Sequence, residues 1–188
     1  MKRLLAACMV LLLASCIEVD DFGDAWDKTT IDPTFAGRWE KISEVDEKPT
    51  GQSWTFTVKD GAYEVQTFIR GKLDDDGPIS PVKSLTVGPY TFLAKGPEEG
   101  TILRYTIDGD RVIFYVLNSQ AAWTFIQAKF PEQDSFYRGD PDDESDDPEN
   151  VGDPVRIRVL NSETVKILSS IPDSDPYWEP DTLVRKIK

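Results

Sequence analysis

The residues of this chain that could do chemistry are carboxylates and not histidine-activated nucleophiles. The sequence of 188 residues holds 34 aspartates and glutamates, 2 cysteines and no histidine. Within this chain, the lack of histidine excludes a Ser-His-Asp triad, a Cys-His pair and a histidine-ligated metal centre. No serine lies in a nucleophile-elbow motif, and no glycine-rich phosphate-binding loop occurs. We therefore expect a protein that is not an enzyme and holds no cofactor.

The densest group of carboxylates is an acidic insertion over residues 131–154, which contains the run DPDDESDDPEN. Its side chains offer the hard oxygen ligands that calcium prefers. The calcium candidates are Asp140, Asp142, Glu144 and Asp146. An EF-hand loop counted from the first of them would need glycine and glutamate where Ser145 and Val151 stand. The pattern is typical of a solvated acidic loop and not of a metal site, with calcium binding as the alternative.

The charge of the chain also restricts its partners. The formal net charge is −13, and the basic residues form no stripe or cluster. Because an acidic surface repels phosphates, we expect no binding to nucleic acid.

The first sixteen residues read MKRLLAACMVLLLASC. Lys2 and Arg3 precede an apolar run that is shorter than the roughly 20 residues a membrane span needs, and small residues lead to Cys16. The segment resembles the signal of a bacterial lipoprotein, in which the cysteine is acylated and becomes the first residue after cleavage. The resemblance implies a signal peptide over residues 1–15 and lipid attachment, including palmitate, at Cys16.

The same resemblance bears on location. In Gram-negative lipoproteins an aspartate after the cysteine favours retention in the inner membrane, whereas here Ile17 follows. We therefore expect a protein held through its acyl chains on the outer membrane and facing the periplasm. Residues 16–33 are acidic and lack periodicity, which indicates a tether. The alternative is that Phe22 and Trp26 dock onto the folded domain.

From residue 34 to residue 188 the sequence predicts one domain that is mainly β. Alternating apolar and polar residues flank Asp60-Gly61 and the second turn at residues 108–110, which indicates two hairpins. A third hairpin is expected around Asn161-Ser162. Residues 119–130 fit a short helix slightly better than a strand.

Eight to ten short antiparallel strands joined as a meander suit a closed β-barrel, with a β-sandwich as the alternative. We favour the barrel because sequential hairpins need no crossing connections. Closure by pairing of the first and last strands would also remove the open sheet edges.

The first strand opens with Gly37-Arg38-Trp39. This resembles the Gly-x-Trp motif of the lipocalin (calycin) superfamily, in which the tryptophan plugs the closed end of the barrel and a late basic residue packs across it. The resemblance implies that Gly37, Trp39 and Arg185 form such a plug. It also implies a barrel that binds a small apolar ligand, and the alternative is a filled barrel that serves as a scaffold for another envelope protein.

The anchor at Cys16 gives a first prediction. Replacing Cys16 with serine removes the thiol that accepts the acyl chain, so the variant should appear in the soluble periplasmic fraction or remain unprocessed. Wild-type cells labelled with radioactive palmitate should yield a labelled protein, and the variant should stay unlabelled. A wild-type protein that takes up no palmitate would contradict the lipoprotein assignment.

Overall fold

The computed structural model describes residues 17–74, 77–138 and 155–187. Its strands are β1 (Ile17–Asp21), β2 (Gly37–Ile42), β3 (Pro49–Lys59), β4 (Ala62–Ile69), β5 (Lys72–Leu73), β6 (Ile79–Val87), β7 (Tyr90–Lys95), β8 (Gly100–Asp108), β9 (Arg111–Leu117), β10 (Phe136–Arg138), β11 (Val155–Val159) and β12 (Trp178–Lys186). Its helices are α1 (Ser119–Lys129) and α2 (Ser162–Ser170), with two 3-10 turns at Gly23–Lys28 and Pro33–Phe35.

Eight of these strands form a closed antiparallel barrel, which confirms the predicted fold class. The meander runs β2-β3-β4-β6-β7-β8-β9, and β12 then pairs with both β9 and β2 to close the ring. The β3–β4 hairpin turns at Asp60-Gly61, where both residues have the positive φ (51° and 78°) that a tight hairpin of this kind needs. The hairpin predicted from the alternating sequence around Asp60-Gly61 is therefore present as the β3–β4 pair.

The sheet forks at β8. Residues 104–108 of this strand pair with β9, whereas residues 100–102 pair with β1. Strand β1 in turn lies parallel to β11, and β11 pairs with β10. Strands β1, β10 and β11 thus leave the barrel wall and form, together with α1 and α2, a layer outside it, whereas the two-residue β5 pairs with β4.

This layer creates a second hydrophobic core. The first core fills the barrel and includes Trp39, Tyr63 and Phe114. The second lies between the outer faces of β6, β7 and β8 and the covering elements, and it includes Phe92, Ile126, Ile157, Leu168 and Trp178. Strands β6 to β8 are therefore apolar on both faces, because each face contacts a different core.

The acidic tether predicted over residues 16–33 is wrong for the described residues of that range. Ile17 and Val19 lie in the sheet at 2% and 0% exposure, and Phe22 is completely buried. Trp26 packs against the same outer core, so the alternative of docking is correct. The acidic residues alternate with these apolar ones and face outward, where Glu18 pairs with Arg156 at 2.8 Å.

The hairpin predicted around Asn161-Ser162 is also wrong, because its second half is helix α2. The Asn161 side chain accepts hydrogen bonds from the backbone N–H groups of Glu163 and Thr164, and Thr164 Oγ1 accepts one from the Asn161 N–H at 2.7 Å. This reciprocal cap satisfies donors that a helix start otherwise leaves unpaired. The helix predicted at 119–130 is confirmed, and the side chain of Asn118 caps its start by accepting a hydrogen bond from the Ala121 N–H.

Cys16, the signal segment and the calcium candidates Asp140, Asp142, Glu144 and Asp146 lie outside the described residues. The predictions made for them remain predictions. In the described part of the acidic insertion, the predicted solvated loop is wrong for Phe136–Arg138, because these residues form β10 and Phe136 is buried in the outer core.

Burial of the N-terminal segment gives the second prediction. Phe22→Ala removes a ring that is 0% exposed in the outer core, so it should lower the free energy of unfolding by about 3–5 kcal/mol. Asp27→Ala changes an exposed side chain five residues later and should stay within about 0.5 kcal/mol of wild type. Urea melts measure both, and equal midpoints for Phe22→Ala and wild type would restore the interpretation as a tether.

Candidate binding cavity

The barrel interior contains a cavity of about 120 Å³. Its lining is almost wholly apolar and comprises Phe35, Trp39, Trp54, Phe56, Val65, Ile79, Val82, Leu93, Lys95, Thr101, Leu103, Phe114 and Val184. Only Ile79, Lys95, Thr101 and Leu103 of this set are more than slightly accessible to solvent. These four residues therefore mark the mouth of the cavity, at the end of the barrel where β7 turns into β8.

The opposite end is closed by a plug segment, residues 30–36. This segment enters beside the C-terminal half of β6, where Thr30 and Ser84 exchange backbone hydrogen bonds of 2.8 and 2.7 Å. Phe35 then sits inside the barrel at 1% exposure, with its ring centroid 4.7 Å from that of Tyr105 and 5.2 Å from that of Phe56. The depth of the cavity is thus limited by an aromatic side chain from outside the barrel strands.

Trp39 lies at this closed end and is held from two sides. Its Nε1 donates a hydrogen bond of 2.8 Å to the backbone oxygen of Phe35, and its ring is 1% exposed. The Lys186 ammonium lies 5.4 Å from the ring centroid and donates to the backbone oxygen of Thr34 at 2.9 Å. Gly37 has φ of +117°, and a Cβ there would stand 3.3 Å from Cε of Lys186. Glycine therefore leaves room for the lysine stem.

Arg185, which was expected to pack across Trp39, does not do so. Its guanidinium pairs with Glu40 at 2.8 Å, on the other face of β12. Register places Lys186 directly opposite Trp39 and Arg185 opposite Glu40. Because side chains alternate along a strand, a shift of one residue decides which basic group reaches the barrel interior.

Polar contacts fix the plug segment at Asp32. The Tyr63 hydroxyl donates to the backbone oxygen of Asp32, and the Tyr105 hydroxyl lies 3.2 Å from both Asp32 Oδ2 and Ser84 Oγ. Burial, with a smaller contribution from the Asp32 charge, raises the pKa of Tyr63 to about 12. Burial also raises the pKa of Tyr105. Both phenols therefore remain protonated at neutral pH. No pattern in the sequence indicated this arrangement.

A buried arginine stands on the outer side of the same wall. Arg104 is 4% exposed, and its guanidinium carbon lies 4.4, 4.7 and 4.8 Å from the ring centroids of Tyr90, Tyr115 and Trp178. One guanidinium nitrogen donates to Asp173, while Nε and Nη1 have no acceptor among the described residues. The rings bind the cation through their π faces. This cluster joins the barrel wall to the outer layer.

Neither a metal centre nor a membrane span emerges from the described ranges. In residues 17–74, 77–138 and 155–187, no three histidine, cysteine, aspartate or glutamate side chains form a group that could hold a metal ion. The helices within those ranges are too short or too polar to cross a membrane.

Comparison of the chain with protein-family models, with curated proteins and with solved structures finds no match. A function for this chain is therefore inferred from the cavity and its mouth.

Trp39 gives the third prediction, since its ring both fills the closed end and borders the cavity. Trp39→Ala should lower the free energy of unfolding by about 3–5 kcal/mol. It should also enlarge the cavity by roughly the volume of the lost ring, so added indole should restore part of the loss by binding only the folded state.

Urea melts with and without indole measure this effect. Trp123→Ala, on helix α1 and half-buried against the outer core, serves as the matched control because indole should not restore its stability. Failure of indole to stabilise Trp39→Ala more than Trp123→Ala would contradict the placement of the ring beside the cavity.

Proposed function

We propose that this chain is a lipid-anchored, non-enzymatic protein of the bacterial envelope whose barrel binds the apolar part of a small ligand. The observation that carries the proposal is the apolar cavity of about 120 Å³ that opens at the β7–β8 end of the barrel. Small-molecule sites are usually concave, mostly apolar and marked by a few polar groups at fixed places. The cavity has this character.

The volume limits the size of the ligand. An apolar protein cavity of about 150 Å³ takes up benzene and stays free of water otherwise, whereas sites for drug-sized ligands measure about 300–1,000 Å³. A ring or an alkyl chain of about six carbons therefore fits inside, and any larger part must project through the mouth. Burying six methylenes contributes about 5 kcal/mol, which corresponds to a dissociation constant on the order of 0.1–1 mM.

The alternative role as a scaffold with a completely filled barrel has less support. Phe35, Trp39, Phe56 and Phe114 fill much of the interior, but the remaining space is contiguous and reaches solvent. Side chains that only had to fill a core would pack to the density of other protein interiors. The open cavity favours a ligand.

The proposed anchor has a geometric consequence. Ile17 already belongs to β1 and is 2% exposed, so a single peptide bond separates Cys16 from the folded sheet. An acyl group on Cys16 would hold the barrel directly against the membrane, without the flexible spacer that the sequence suggested.

The fourth prediction tests the cavity. Binding of 1-octanol to wild type should change the fluorescence of Trp39 and Trp54, which both line the cavity. Val65→Phe places a ring into the cavity and should weaken octanol binding at least tenfold. Val58→Phe makes the same change at an exposed position of β3 and should leave binding within twofold of wild type.

Circular dichroism and urea melts check that each variant folds. If Val65→Phe does not fold, Leu103→Phe at the mouth replaces it. Unchanged octanol binding in a folded cavity-filling variant, or no binding to wild type at millimolar octanol, would overturn the proposed function.

A further inference from the structure

We infer that the ligand of the cavity is a short-chain amphiphile with an anionic carboxylate head, and that Lys95 and Thr101 bind this head at the mouth. The inference rests on the proposed function and assigns a chemical class to the ligand. It is carried by the position, direction and pairing of Lys95.

Alternation along β7 points Lys95 toward the barrel interior. Tyr90, Phe92 and Ala94 belong to the outer core, whereas Leu93 lines the cavity. Lys95 follows Leu93 by two residues, so its side chain leaves the strand on the inner face. Among the described residues that line the cavity it is the only charged one, and it is exposed at the mouth. An aliphatic stem against apolar walls with the ammonium in water is the favourable arrangement for lysine.

Register places a hydroxyl beside this ammonium. Lys95 pairs with Thr101 on β8 and with Val82 on β6, and both partners also line the cavity. Thr101 is half-buried and offers one hydroxyl donor. A carboxylate at the mouth can therefore accept from both the ammonium and the hydroxyl, while its alkyl chain extends inward toward Phe35.

No partner inside the described part of the chain neutralises Lys95. Elsewhere on the barrel, Lys59 pairs with Glu64 at 3.1 Å and Arg185 with Glu40 at 2.8 Å. Lys95 makes no ion pair with any described residue, even though Glu98 and Glu99 follow in the same turn. Those two carboxylates are exposed, so water and salt screen their effect on an anion bound at the mouth. Glu18, which register places opposite Thr101, is paired with Arg156 at 2.8 Å.

The two parts of the site together define the ligand. The apolar depth of about 120 Å³ holds about six carbons, and the mouth offers one cation and one hydroxyl. A saturated monocarboxylate of about six to eight carbons satisfies both. A neutral alcohol of the same length would use the apolar part only.

The experiment compares octanoate with 1-octanol on the folded protein by calorimetry and tryptophan fluorescence at neutral pH. Lys95→Met keeps an unbranched side chain but removes the charge. It should weaken octanoate binding at least tenfold and leave octanol binding within twofold. Lys59→Met removes the same charge at the C-terminal end of β3, at the plugged end of the barrel and away from the mouth, so it should alter the binding of neither compound by more than twofold.

The outcomes distinguish the proposed binding of an apolar ligand from the inference that this ligand carries a carboxylate. If octanol binds but Lys95→Met leaves octanoate binding unchanged, the carboxylate inference is overturned and the proposed function stands. If Lys59→Met weakens octanoate binding as much as Lys95→Met, the effect belongs to the net charge and the inference is also overturned. If neither compound binds wild type, the proposed function itself fails. Lys95→Gln repeats the test should Lys95→Met not fold.

Discussion

Closure of the barrel by β12 is the constraint on which the rest of the structure depends. This strand pairs with β9 from Trp178 to Arg185 and with β2 from Leu183 to Lys186, so the eight-stranded ring has no free edge there. Once the ring is closed, every wall strand has one face directed into a space of fixed size. Large aromatic side chains fill most of this space, and what they leave is the cavity. Ligand size is therefore a consequence of barrel closure combined with aromatic filling.

The N-terminal segment connects the two cores. Residues 17–28 cover the outside of the wall. Thr30 bonds to Ser84 on the edge of β6 that β4 leaves without a partner, and Phe35 then enters the barrel. The segment is held by buried rings outside and by the Tyr63 and Tyr105 hydroxyls inside. One stretch of chain thus stabilises the outer layer and also sets the inner limit of the cavity.

Basic residues have distinct structural roles in this acidic protein. Arg104 is buried among three aromatic rings and joins two layers, and Lys186 lies across the ring of Trp39. Lys95 differs from both because it stands exposed at the rim of an apolar cavity, with no ion pair among the described residues. Arg104 and Lys186 therefore stabilise the packing of aromatic rings, whereas Lys95 is placed to contact a ligand.

The sequence by itself determined the mainly β fold, the turn at Asp60-Gly61 and the helix at 119–130, because these follow from local periodicity and turn chemistry. Closure by the last strand was expected for a different reason, since a meander left open would expose two sheet edges. It did not determine that residues 17–33 fold onto the barrel or that residues 162–170 are helical, since burial against distant partners decided both. Lys186 rather than Arg185 reaches Trp39 because register, and not residue type, selects the face of a strand. Only the tertiary structure decided the cavity, which is the small difference between the volume that the closed barrel encloses and the volume that its side chains occupy.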